Sequence, residues 1–317
     1  MKPKQTLYKG AIIPMVTPIN EDLTVDVEST ARILDTFMEA SVSPFVLGTT
    51  GESLSLSTGQ KTLLVQTTIN HINHRVSVYA GISGNCLAES IEQANQFAGY
   101  GVDAVVAHLP FYYPLSDNQI IRYFLQLADN IKCPLIIYNM PGTTHLSIPI
   151  EIIDKLSFHP NIAGVKDSEK GLERLEQSVK LWNKRPDFVY LMGCAVQSAI
   201  ALHKGADGIV PSLGNFVPQL YGKLYNAILN DDNGTAELLQ SQSNEIATIY
   251  QKDKTLSQSI PALKTMMSAI GLCKPYAMPP MITLSDEEQK IIRNQALEVH
   301  EKFSSLFPQP VKQGASN

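Results

Sequence analysis

A (β/α)8 barrel with a C-terminal helical extension is the fold class this sequence predicts, and three observations predict it. Eight short apolar runs, rich in β-branched residues, recur between residues 10 and 211. Stretches with helical apolar spacing separate them. After residue 218 the strand pattern stops and only helical patterns follow. Strands this apolar suit a parallel sheet buried on both faces. Eight strand–helix units count out a closed barrel. An open doubly wound sheet usually needs fewer strands, and no Gly-x-Gly-x-x-Gly follows any run.

The strand candidates are residues 10–14, 44–48, 76–81, 104–109, 135–139, 162–166, 188–192 and 208–211. The first helical stretch, 27–40, sets Ile33, Leu34, Phe37 and Met38 on one stripe. Residues 57–71, 87–99 and 172–182 behave similarly. Ser116-Asp117-Asn118-Gln119 has the form of a capping box before Ile120, Ile121, Phe124 and Leu125. Beyond the barrel, Asp231-Asp232-Asn233-Gly234 reads as a turn and 235–250 as a helix. Residues 261–271 read as another helix, and Ser285-Asp286-Glu287-Glu288 caps the last. These patterns divide the chain into a barrel domain (1–218), a helical region (219–305) and a tail (306–317). The tail is Pro-, Gly- and polar-rich from Pro308 and is expected to fray.

Composition narrows the function classes. Of the 317 residues 44% are hydrophobic and 17% charged, so disorder is excluded as the dominant state. The formal net charge of -5 offers no basic field for a phosphate backbone, and nucleic acid is not an expected partner. No uninterrupted apolar run approaches the ~18 residues of a membrane helix. The start, Met1-Lys2-Pro3-Lys4, has no apolar segment behind it, so no membrane association is expected. Cys86, Cys133, Cys194 and Cys273 form no Cys-x-x-Cys pair and read as buried free thiols, in keeping with a cytoplasmic setting. The histidines are scattered without a ligand spacing. His71 and His74 read as solvated, while His108 and His145, near strand ends, either touch a ligand or, the commoner case, are hydrogen-bonded structural residues. No metal and no cofactor are expected.

In a barrel the chemistry sits at the C-terminal ends of the strands. The sixth run ends in Lys166. Burial there would depress its pKa and free the amine to attack a carbonyl. The competing reading has the ammonium reach solvent or pair with Asp167 or Glu169. The fifth run ends in Tyr138, either a proton shuttle or a tyrosine packed at the rim. The second is followed by Gly48-Thr49-Thr50-Gly51-Glu52. Its glycines and hydroxyls suit a small carboxylate, although an ordinary turn has the same composition.

Taken together, these segments resemble one family. Gly48-Thr49-Thr50-Gly51-Glu52, Tyr138-Asn139-Met140-Pro141, Gly164-Val165-Lys166 and Gly205-Ala206-Asp207-Gly208-Ile209 occur in the order found in the dihydrodipicolinate synthase / N-acetylneuraminate lyase superfamily. The resemblance runs from about residue 8 to about residue 300. It implies class I aldolase chemistry on pyruvate or another 2-keto acid, with an aldehyde as second partner and no cofactor. Lys166 would form the Schiff base and Tyr138 would act as general acid and base. Thr49 and Tyr112 would relay the proton, and Thr50 with its backbone amide would hold the keto-acid carboxylate. Gly48, Gly51, Thr143, Ser168, Gly193, Ile209 and Ser212 would complete the substrate side. Tyr112, from Pro110-Phe111-Tyr112-Tyr113-Pro114, would complete the site of a neighbouring subunit in a homotetramer built as a dimer of dimers.

Departures from the family patterns bear on the substrate. Thr143 stands where the synthase branch has a carboxylate-binding arginine. Thr58 and Lys61 replace the two histidines of its lysine-feedback site, although Asn85 and Glu89 match. Cys194-Ala195 follows Gly193 where the sialic acid lyases have Asp-Glu. Lys166-Asp167-Ser168, Ser212, Gly214-Asn215-Phe216 and the uncharged Gly142-Thr143-Thr144 are closer to aldolases and dehydratases of 2-keto-3-deoxy sugar acids. The expectation is therefore a lyase that cleaves or forms a 2-keto-3-deoxy acid with an uncharged tail. The alternatives are the synthase that condenses pyruvate with aspartate semialdehyde, and a catalytically silent keto-acid-binding barrel.

Overall fold

A computed structural model describes residues 8–307. Eight parallel strands close into a barrel in the order β1 to β8. They are β1 (Gly10–Pro14), β2 (Ser43–Val46), β3 (Tyr79–Gly81), β4 (Ala104–His108), β5 (Leu135–Asn139), β6 (Ile162–Asp167), β7 (Val189–Met192) and β8 (Gly208–Ile209). Gly10 pairs with Gly208 to close the ring. The outer helices are α1 (Val27–Glu39), α2 (Thr58–Ile72), α3 (Leu87–Tyr100), α4 (Asp117–Asn130), the one-turn α5 (Pro141–Thr144), α6 (Ile150–Leu156), α7 (Leu172–Trp182), α8 (Ser198–Lys204) and α9 (Pro218–Leu229). Ser116 and Gln119 form the expected capping box on α4, and Ser57 with Gln60 forms another on α2.

Strand alternation separates two apolar layers. Ile12, Phe45, Val106, Ile136, Tyr138, Leu191 and Val210 fill the barrel interior. Leu135, Ile137, Val165 and Ile209 face the helices. On β6 strict alternation would put Lys166 on the same face as Ile162, outward. A register irregularity prevents this. Leu135 pairs with Ile162 but Ile136 pairs with Gly164, so Ala163 is an extra residue. The extra residue shifts the phase of the strand by one and turns Lys166 inward. Gly164 is required at this point, because a Cβ there would lie 2.4 Å from Val189 Cγ2 and 2.6 Å from the Val189 carbonyl.

Helix α9 falls in the segment that the sequence pattern joins to the C-terminal helices, yet it packs on β1 and α1 and so completes the barrel's outer layer. The extension proper is α10 (Asn233–Gln251), α11 (Leu256–Ala269) and α12 (Asp286–Lys302). Helix α11 begins at Leu256, ahead of the expected 261. Thr255 and Gln258 form its capping box, and Pro261 lies inside the helix rather than opening it. Leu306 and Phe307, drawn into the tail on composition, are buried, with Phe307 edge-on to Phe216. The segment expected to fray, 308–317, lies outside the described residues. Cys133, Cys194 and Cys273 are buried free thiols, whereas Cys86 is exposed, at the start of α3. Among the described residues no helix is long and apolar enough to cross a membrane.

Candidate active site

Lys166 and Tyr138 are register partners on β5 and β6, so both point into the barrel at one level near its C-terminal end. The Lys166 Nζ lies 3.9 Å from the centroid of the Tyr138 ring and 4.8 Å from that of Phe45. Lys166 is 4% exposed and has no carboxylate within ion-pair distance among the described residues. The neighbouring acids are engaged elsewhere. Asp167 accepts from Arg174 Nε at 2.7 Å and from Asn139 Nδ2 at 2.9 Å. Glu169 accepts from Ser147 Oγ at 2.6 Å and from Asn139 Nδ2 at 2.9 Å. The ion-paired reading of Lys166 therefore fails. Burial holds its amine below the ordinary lysine range, partly opposed by Tyr138.

Burial pushes the Tyr138 phenol up, but the Lys166 charge and hydrogen bonds from Thr49, Ser168 and Lys166 outweigh it, leaving the phenol below the usual tyrosine value. Thr49 Oγ1 stands 3.4 Å from the Tyr138 hydroxyl. A buried amine held below its ordinary range, beside a phenol that its charge holds below its own, is a pair that can exchange a proton and, once the lysine has lost it, attack a carbonyl.

The loop after β2 is wound around its own carbonyls. Gly51 N donates to Gly48 O at 3.1 Å, and Thr17 Oγ1 donates to Gly51 O at 2.6 Å. A Cβ at Gly51 would stand 3.0 Å from Met15 O. Gly48 and Gly51 thus shape the turn, and Thr49 and Thr50 line the cleft. Glu52, next in the loop, is wholly buried. It forms an ion pair with Lys264 of α11 and accepts from Met278 N at 2.7 Å. Lys264 also donates to Tyr276 O at 2.9 Å. This buried clamp ties the helical extension to the threonine loop.

A cleft of about 370 Å3 opens above Lys166. Thr49, Thr50, Tyr138, Lys166, Ser168, Gly193 and Ser212 line it, as expected from sequence. Gly193 leaves room for Ser168, since a Cβ there would fall 2.1 Å from the Ser168 Oγ. Besides Gly48 and Gly51, which shape the turn without lining the cleft, three expected residues are placed differently. Ile209 faces the helices, and its neighbour Val210 lines the cleft instead. On a two-residue strand the inward phase is set by pairing with β1 and β7, which sequence does not reveal. Thr143 donates to Met140 O at 3.3 Å and lines an adjoining lobe of about 220 Å3, with His108, Leu54 and Met281. The two lobes meet at Thr49, Leu256 and Ile260. Tyr112 is 74% exposed, edge-on to Tyr113 at 4.9 Å, and lines neither lobe. The chain alone does not bring it to the Thr49–Tyr138 pair.

Other lining residues carried no sequence signal. Tyr250 of α10 holds Ser212 through a 2.8 Å hydroxyl contact, and Leu256, Ser259, Ile260 and Leu263 of α11 form a wall. Lys170 and Lys254 add two cations to the lining. His108 is a structural histidine: its Nδ1 is 2.7 Å from Leu109 O, and burial with Lys166 nearby holds its pKa down. No group of three or more His, Cys, Asp or Glu residues among those described could hold a metal.

The chain is 29% identical over 290 residues to a 4-hydroxy-tetrahydrodipicolinate synthase of Neisseria meningitidis serogroup B, covering 90% of this chain and 97% of that one. It is also 29% identical over 295 residues to the putative 2-dehydro-3-deoxy-D-gluconate aldolase YagE of Escherichia coli K12, covering 91% and 95%. The crystal structure of YagE in complex with pyruvate superposes with a TM-score of 0.87 at 26% identity, over 92% of this chain and 99% of that one. A dihydrodipicolinate synthase structure from Bacteroides thetaiotaomicron gives 0.86 at 32% identity, over 92% and 98%. The sequence profile of the Dihydrodipicolinate synthetase family matches residues 7–298, nearly the whole barrel and its extension, and the chain belongs to that family.

Proposed function

We propose that the protein is a Schiff-base-forming, pyruvate-dependent lyase that cleaves or forms a 2-keto-3-deoxy acid. The observation that carries this reading is Lys166, buried at a strand end, with no carboxylate partner among the described residues and against Tyr138. The amine adds to the C2 carbonyl of the keto acid and, with loss of water and uptake of the Tyr138 phenol proton, gives a protonated imine beside a phenolate. Tyr138 then takes the proton of the C4 hydroxyl. The C3–C4 bond breaks, the aldehyde leaves, and its electron pair is held as the enamine. Protonation at C3 and hydrolysis of the imine release pyruvate and restore the amine. In the reverse direction pyruvate and an aldehyde condense. Thr49 orients the Tyr138 hydroxyl, and Thr50 meets the keto-acid carboxylate.

Tyr112 joins this relay from a neighbouring subunit of a homotetramer in our reading, which accounts for an aromatic pair left exposed beside the barrel mouth. The free thiols suit a cytoplasmic enzyme. The choice of a 2-keto-3-deoxy acid over aspartate semialdehyde is supported by the absence of arginine among the described residues of both lobes. A charge-assisted hydrogen bond is worth roughly 1.5–3 kcal/mol, so losing one costs about tenfold to a hundredfold in affinity. The test is kcat/KM for 2-keto-3-deoxy acid cleavage and for semialdehyde condensation on one preparation. Cleavage should dominate, and Thr143→Arg should move the ratio toward the semialdehyde. A native preference for the semialdehyde would make the protein a synthase.

A further inference from the structure

Two lysines in the cleft have no part in the Schiff-base chemistry. Lys170 follows β6 by three residues, and Lys254 sits in the turn between α10 and α11. Both line the same cavity as Lys166. Among the described residues the lining holds three lysines and neither aspartate nor glutamate. Nearby carboxylates are otherwise engaged. Glu52 belongs to the adjoining lobe and is paired with Lys264. Glu169, next to Lys170, turns away to Ser147, Asn139 and Arg174. Glu288 feels Lys254, but its carboxylate is engaged first by Ser285. Lys254 Nζ has a long 3.5 Å contact to the Lys252 carbonyl. A concave site lined by one sign of charge concentrates the opposite sign within it.

We propose that Lys170 and Lys254 form a distal anion subsite, and that the preferred second substrate is an aldehyde bearing a carboxylate or phosphate and no ammonium group. The inference rests on the lyase reading above. The keto-acid carboxylate is met near Thr50, at the β2 loop, so the two mouth lysines are available to the other end of the substrate. An aldehyde carrying an ammonium group finds cations and no carboxylate along this wall. It is disfavoured by the same residues that hold a plain anion. The adduct is then a 2-keto-3-deoxy acid charged at both ends.

The test uses the full chain with pyruvate and three aldehydes: neutral glyceraldehyde, glyceraldehyde 3-phosphate, and tartronate semialdehyde, which carries a carboxylate. The wild type should favour at least one anionic aldehyde by roughly tenfold or more in kcat/KM, and the two anionic arms separate phosphate from carboxylate. Lys170→Gln and Lys254→Gln should each lower the anionic-to-neutral ratio by about fivefold, through KM, as expected for a partly solvated charge contact. Lys170→Arg and Lys254→Arg should restore most of it. Lys180→Gln, on the outside of α7, should leave the ratio unchanged. Equal rates for charged and neutral aldehydes, or ratios unmoved by both glutamine variants, would overturn the subsite. Borohydride trapping of pyruvate on Lys166 in each variant separates this failure from failure of the lyase reading, since a subsite variant that still traps pyruvate has kept the imine chemistry.

Discussion

At the scale of single residues, Lys166 and Tyr138 set each other's protonation. Burial lowers the Lys166 pKa and the tyrosine partly restores it, so Tyr138→Phe should lower it further. Imine formation with pyruvate needs the free amine and falls as pH drops through the Lys166 pKa. That acid limb lies below the ordinary lysine value of about 10.4. In Tyr138→Phe it should move to still lower pH, while steady-state turnover drops by roughly two orders of magnitude or more, the scale of general acid–base catalysis. Borohydride trapping against pH reads the first effect, and turnover assays read the second. An unshifted limb with unchanged turnover would reduce Tyr138 to a packing residue. Lys166, Tyr138 and the Thr49-Thr50 turn stand out in the sequence as polar residues at barrel strand ends, whereas the roles proposed for them follow from the resemblance of their motifs to the family. Lys170, Tyr250 and Lys254 do not stand out, because each reaches the cleft through loop or helix placement that no local spacing encodes.

At the scale of elements, the strand and helix count was legible from alternating apolar runs, but the phase within a strand was not. The inward turn of Lys166 depends on the extra Ala163 and on a glycine at 164 that admits Val189. Ile209, which the resemblance puts on the substrate side, faces the helices for a related reason, since β8 is too short to show its own alternation. Helix α11 starts ahead of the 261–271 pattern because the Thr255–Gln258 capping box opens it about a turn and a half before Pro261. That helix matters to the site through Lys264. Removing one partner of a buried ion pair leaves an uncompensated charge and costs roughly 3–5 kcal/mol. Lys264→Met should therefore destabilise the fold by about that amount in denaturant titration. Glu52→Gln combined with Lys264→Met should recover part of the loss. If Lys264→Met alone is neutral, the clamp does not hold the threonine loop to the extension.

At the scale of the whole molecule, a closed barrel supplies the scaffold, its helical extension walls one side of the cleft, and one proposed member of the relay lies outside the chain's own site. Tyr112 is exposed in the isolated chain, so its proposed role depends on assembly. Tyr112→Phe should lower turnover less than Tyr138→Phe, and dilution to monomers should lower wild-type activity to a similar degree. Sedimentation and activity measured on the same dilution series check this, and full activity in a monomer would remove Tyr112 from the relay. The most direct measurement of the central assignment is reduction with borohydride in the presence of pyruvate, followed by peptide mapping. The expected result is one pyruvate-derived adduct on Lys166, with activity lost in proportion to labelling. An adduct on another lysine, or full activity without any adduct, would contradict it.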